Sequence, residues 1–106
     1  MSDKSPRRQM LESSLAEDPG DTFLRYGLAM QCLRDGDAAE GRERLLKLIA
    51  DHPDDQVAAY QQLGQSYLEN NENSEARVIL KTGIDKANAL ADYHAAAEMS
   101  GLLDSM

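Results

Sequence analysis

One pattern of residues occurs twice in this chain, 35 positions apart, and it limits the possible folds more than any other feature. Leu28-Ala29 returns as Leu63-Gly64, Cys32 as Tyr67, Gly41 as Ala76, Leu45 as Leu80 and Ile49 as Ile84. A half-copy precedes them: Leu11, Leu15 and Pro19 return 34 positions later as Leu45, Ile49 and Pro53. A period of this length is that of stacked helical hairpins, in which each unit leaves an apolar face for the next to cover. Stacks of this kind commonly serve as binding surfaces.

The 106 residues amount to one domain, and 42% hydrophobic content is enough for a core. Aromatic content is only 5%, with no Trp, so Leu, Ala, Ile and Met must fill that core. That mixture favours helices over strands. No window alternates apolar and polar residues over strand length. The expected fold class is therefore all-α: a stack of antiparallel hairpins with about six helices.

The formal net charge of -8 repels nucleic acid and anionic membranes. Arg42, Arg44 and Lys47 lie among Glu40, Glu43 and Asp51, which reads as a solvated helix face. The single cysteine, Cys32, rules out an internal disulfide and fits a reducing cytoplasm. The first residues lack the apolar run of a signal peptide, and no stretch reaches transmembrane length.

Punctuation divides the chain. Residues 1–4 are expected as a flexible tail. Ser5-Pro6 is a helix start, and the first helix is expected over 5–18, with Met10, Leu11 and Leu15 apolar. Asp21 caps a second helix, whose stripe Leu24, Leu28, Cys32 is joined by a second one of Phe23, Tyr26, Met30 and Leu33. Gly36 suits a left-handed helix end, and Asp37 with Glu40 has the spacing of a capping box. The third helix is expected to bury Leu45, Leu48 and Ile49 and to stop before Pro53.

Asp54 or Asp55 is expected to cap the fourth helix. Its apolar face is Val57, Tyr60, Leu63, Gly64, Tyr67 and Leu68; its polar face is Gln61, Gln62, Gln65, Ser66 and Glu69. Asn73 is expected to cap the fifth helix, which buries Ala76, Ile79, Leu80 and Ile84. The sixth is expected over 90–104, with Tyr93, Met99, Leu102 and Leu103 apolar. The domain organisation is thus a half-repeat helix at 5–18, repeats at 21–52 and 55–88, and a capping helix.

These residues resemble the tetratricopeptide repeat family. Its motif has an aromatic, then Leu-Gly, then Tyr in the first helix, which the second copy supplies as Tyr60, Leu63-Gly64 and Tyr67. It has a small residue early in the second helix (Gly41, Ala76), a large one four positions on (Leu45, Leu80), and Pro at the junction (Pro19, Pro53). Small residues let helix axes approach while large ones fill the adjacent groove. The first copy departs from the motif at Arg25 and Ala29, and Asn88 stands where a third Pro would be.

The resemblance implies a concave face lined by the first helix of each hairpin. Here that face would be Phe23, Tyr26, Met30, Leu33 and Arg34, with Ala58, Gln61, Gln65, Leu68 and Glu69. Gln61 and Gln65 lie one turn apart, and their amides suit the backbone of an extended peptide. The Lys, Asn and Arg clamp for a C-terminal carboxylate, found in some members, is replaced by Tyr26, Met30, Gln61 and Gln65.

No phosphate loop, nucleophile elbow or His-Glu-x-x-His motif is present. His52 and His94 lack clustered ligands, and Cys32 sits on a core stripe without a basic neighbour in sequence. No catalytic residue, cofactor or metal is expected. The expected function is a non-catalytic module that binds a peptide or helix of a partner protein, with no nucleic acid and no membrane involved. The alternative is a homo-oligomer, possible as a dimer, that uses the Phe23 to Leu33 stripe or the last helix for self-association.

Overall fold

The computed structural model describes residues 4–106. The protein is all-α, and six helices follow in order: α1 Pro6–Glu17, α2 Thr22–Arg34, α3 Ala38–Asp51, α4 Val57–Glu69, α5 Asn73–Ala89 and α6 Tyr93–Asp104. Among the described residues there is no strand. The chain divides into two compact units, Met1–Leu48 and Ile49–Met106.

In the first unit, α1 packs on α2 through Leu11, Leu28 and Cys32, with Leu15 and Leu24 against them. The Ser5 hydroxyl accepts from the Arg8 N–H at 3.2 Å, and Pro6 occupies the first helical position. Asp21 caps α2 by accepting from the Leu24 N–H at 2.9 Å. Gly41 marks the close approach of α2 and α3: a Cβ there would lie 2.7 Å from Leu33 Cδ2 and 3.1 Å from the Ala29 carbonyl. Met10, expected in the apolar face, is 57% exposed. The tail expected at 1–4 falls mostly outside the described residues; Lys4 itself pairs with Glu12 at 2.7 Å.

In the second unit, Val57, Tyr60, Leu80, Ala87, Ala95, Ala96 and Met99 form the core, with Ile49, Leu68, Ile79, Ile84, Leu102 and Leu103 around it. Gly64 on α4 receives Leu80 of α5, and a Cβ there would meet Leu80 Cδ2 at 2.5 Å. Gly83 on α5 is the point where α4 and α6 converge: its Cβ would lie 2.7 Å from Tyr60 Cβ and 2.6 Å from Met99 Sδ. The aromatic of the repeat motif also holds the preceding loop, because the Tyr60 hydroxyl donates to the Pro53 carbonyl at 2.8 Å.

Three helices end in the same way. Gly36, Asn71 and Ala91 take positive φ of 85°, 60° and 58°. The N–H groups of Asp37, Glu72 and Asp92 then reach back to the carbonyls of Cys32, Tyr67 and Ala87 at 2.9, 2.9 and 2.8 Å. This is the Schellman arrangement, which satisfies carbonyls left over at a helix end.

Several caps differ from expectation. A turn follows Pro53, so α4 starts only at Val57 with Gln56 as its cap residue, and Asp54 instead accepts from Lys86 at 2.8 Å. Asn73 is the first residue of α5 rather than its cap, because Asn71 has already turned the chain. The sixth helix begins at Tyr93 rather than near Leu90, since Ala91 is left-handed and Asp92 caps by accepting from the Ala95 N–H. Half of the capping box forms: Asp37 accepts from the Glu40 N–H at 3.2 Å, while the Glu40 carboxylate turns to Arg8 and Arg44. Ser66, placed on the polar face of α4 by its chemistry, is buried, whereas Tyr93 is 67% exposed.

Candidate functional site

The expected binding residues separate by unit. On α2, Phe23 is 82% exposed, Tyr26, Met30 and Leu33 are half-buried, and Arg34 is exposed. Thus the stripe is not uniform: Leu33 packs over Gly41, while Phe23 stands in solvent at the start of the helix. Phe23, Tyr26, Met30 and Arg34 follow at i, i+3, i+7 and i+11, the spacing of one helical face. Arg34 lies near enough to Tyr26 to favour its phenolate, yet burial outweighs this and pushes the Tyr26 hydroxyl above its ordinary pKa. A neutral phenol beside a guanidinium offers both donor and acceptor at the end of an apolar strip.

On α4, Ala58, Gln65 and Glu69 are exposed, and Gln61 is half-buried. Leu68 packs against the core of its unit, so it is in part a structural residue. The α4 face is therefore mostly polar, in contrast with the apolar face of α2.

The first unit also contains a charged feature that no periodicity in the sequence announces. Arg8 of α1 is only 3% exposed. Its Nη2 donates to Glu40 Oε1 at 2.7 Å and to Asp37 Oδ2 at 3.2 Å, and its Nε lies 3.9 Å from Glu12. Arg44 donates to the other oxygen of Glu40 at 2.8 Å. The hydrogen bond from Arg44, with the charge of Arg8, holds Glu40 below the usual carboxylate range against the opposing effect of burial. Nearby, the Ser5 hydroxyl donates to Asp35 at 2.8 Å, which together with Gln31 lowers the pKa of Asp35. Thus α1 is tied to the turn between α2 and α3 by charge, and to α2 by Leu11.

This network also surrounds Cys32, whose thiol donates to Glu40 Oε2 at 3.6 Å. Burial and the Glu40 carboxylate raise the thiol pKa, with Arg8 working the other way. Folding brings Arg8 beside Cys32, but the net effect is a thiol held neutral.

Two recesses flank the network. One of about 280 Å³ is lined by Lys4, Glu12, Glu40, Glu43, Arg44 and Lys47, so three cations and three carboxylates offset one another. The other, of about 310 Å³, is more apolar and is lined by Leu15, Ala16, Pro19 and Leu28, with Glu12 and Arg44 at its edge. Neither was visible in the sequence, because each joins residues of α1 to residues some thirty positions away on α3.

The remaining chemistry is sparse. His94 Nε2 lies 3.0 Å from Glu98 in an exposed i,i+4 pair, and among the described residues no group of three His, Cys, Asp or Glu is placed to hold a metal. Among the described residues no helix is long and apolar enough to cross a membrane. The charge is unequal: residues 49–106 hold three basic and ten acidic side chains, a formal -7 of the chain's -8.

Neither a curated protein nor a solved structure gives a significant match to the chain. A family model described as tetratricopeptide repeat matches residues 2–80, well over half of the chain. With six helices in hairpin order and the repeat punctuated by matching turns, the chain belongs to the tetratricopeptide repeat family, a family of generally non-catalytic protein–protein interaction modules.

Proposed function

We propose that the chain is a non-catalytic cytoplasmic module that takes a peptide or helical segment of another protein on the faces of its first helices. The observation that carries this reading is Phe23. A large aromatic left 82% exposed at the head of a helix, with Tyr26 and Met30 half-open behind it, makes a place for an apolar side chain of a partner. Arg34 at the far end of the strip supplies a cation for a carboxylate or backbone carbonyl. On the second unit, Gln61 and Gln65 supply amide donors and acceptors for a peptide backbone. The two faces differ in chemistry, so each suits a different kind of peptide segment.

A displayed library of random peptides selected against the full chain tests the proposal. Binders should lose about tenfold or more in affinity with Phe23→Ser or with Gln61→Ala/Gln65→Ala, since a buried aromatic anchor commonly contributes more than 1.4 kcal/mol. Failure to select any binder, or binders indifferent to both variants, would count against it. Sedimentation velocity separates the alternative: a dimer dissolved by Phe23→Ser means that the strip serves self-association.

A further inference from the structure

Helix α1 is held differently from the helices it rests on. Leu11 is its one buried apolar side chain; Leu15 is half-buried and Met10 stands in solvent. By contrast, α2 buries Leu28, Ala29 and Cys32, and α3 buries Gly41, Leu45 and Leu48. The seat of α1 is also loosely filled. One recess runs from Leu15, Ala16 and Pro19 to Arg44, with Leu28 in its lining, and the other parts Lys4 and Glu12 from Glu43 and Lys47. Across this gap Arg8 reaches Glu40 at 2.7 Å and Asp37 at 3.2 Å. Docking carries a cost of its own, because the enclosed Arg8 Nε has no hydrogen-bond acceptor.

We propose that α1 is an ionically latched lid, which leaves α2 and α3 as a unit while their hairpin stays folded, and that ionic strength sets how often it opens. Segments with few buried apolar groups are those that open first. The latch is wet on one side: Asp37 and Glu40 keep 38% and 32% of their side chains exposed, so mobile ions reach the carboxylates though not the guanidinium. The other charges around Arg8 are Glu12 on its own helix, Arg44 on α3, which shares Glu40, and Asp35 at the end of α2, held by Ser5. Apolar burial has no charge to screen, so a seat held by Leu11 and Leu15 alone would be indifferent to such ions. Release bares Leu28 and Cys32, with Leu24 beside them. This apolar face shares no residue with the strip of Phe23, Tyr26 and Met30, and the closed α1 is its built-in cover.

Cys32 reports the opening, because its thiol is buried in the contact between α1 and α2. The uncharged reagent N-ethylmaleimide is reacted with the full chain near neutral pH, in potassium chloride from about 0.02 M to about 1 M. Each rate is divided by that of the urea-unfolded chain at the same salt. Labelling should speed up about fivefold or more across this range. Amide hydrogen exchange at Leu45 of α3 and Leu80 of α5 should stay as slow as before. Arg8→Gln should label at low salt as fast as wild type does at high salt, and should lose the salt dependence. Glu40→Gln should do the same to a lesser degree, since Asp37 remains. Lys47→Gln, which breaks an exposed pair with Glu43 outside the latch, should leave the salt dependence as it is. Labelling indifferent to salt, or an equal salt response in Arg8→Gln, overturns the proposal. Loss of protection at Leu45 or Leu80 in step with labelling, in wild type or in Arg8→Gln, also overturns it, because α1 then does not open alone.

Discussion

The guanidinium of Arg8 meets the carboxylate of Glu40 at 2.7 Å across 32 positions of chain, and in doing so fastens α1 to the turn that opens α3. Because Arg8 is buried and its partners are about one-third exposed, the pair is neither a surface contact of small effect nor a fully dry ion pair. Arg8→Ala should cost about 2 kcal/mol in urea denaturation, less than for a dry pair because Asp37 and Glu40 can regain water.

Acid should weaken the same junction. Glu40 and Asp35 both have folded pKa values below their ordinary ones. Their contribution is therefore full above the unfolded carboxylate pKa of about 4 and is lost as pH falls through the lower folded values. Stability should drop below about pH 4, and Glu40→Gln should differ from wild type at pH 7 but converge with it in acid. Equal differences at pH 7 and pH 3 would contradict the assignment.

The convergence of α4 and α6 on Gly83 leaves no space for a methyl group. Met99 Sδ can swing aside, but Tyr60 Cβ is fixed to its backbone at 2.7 Å. Gly83→Ala should destabilise by about 1–3 kcal/mol through overpacking, despite alanine's better helix propensity. Gly101→Ala, with nothing within 4 Å, should instead stabilise by up to about 1 kcal/mol. Thermal melts of the two variants should therefore shift in opposite directions.

Ala91 takes a conformation at φ 58° that glycine adopts without strain. Ala91→Gly should raise stability by about 1 kcal/mol, while Gly36→Ala, at φ 85°, should lower it by a similar amount. Reversal of either sign in chemical denaturation would show that the turn relaxes.

Cys32 is enclosed, and its thiol is held neutral by burial and by Glu40. A thiol reagent at pH 7 should modify it only as fast as the first unit opens, and at full rate in denaturant. Fast labelling of the native protein would contradict the packing of α1 over α2.

The helices and their order were legible because periodicity and punctuation agree: Asp21 and Gly36 act as their local chemistry dictates, and Leu28, Leu45, Leu63 and Leu80 are buried as the repeat requires. Start sites were legible at Ser5, Asp21 and Asp37, whose side chains accept from N–H groups of the first turn. Asp54 was drawn to Lys86, 32 positions away, and Ala91 holds a left-handed turn that its identity does not signal. Arg8 reads as a surface residue until α3 supplies its carboxylates. On the candidate face, the i, i+3, i+7 spacing identified Phe23, Tyr26 and Met30 as one strip, but not that Phe23 stands open while Tyr26 and Met30 are half-buried. No local pattern carries that information.

On the proposed function, Phe23 is exposed for a partner and not for the fold. Phe23→Ser should leave unfolding free energy within about 0.5 kcal/mol of wild type and reduce the affinity of selected peptides about tenfold or more. A loss of stability with peptide affinity unchanged would contradict the account.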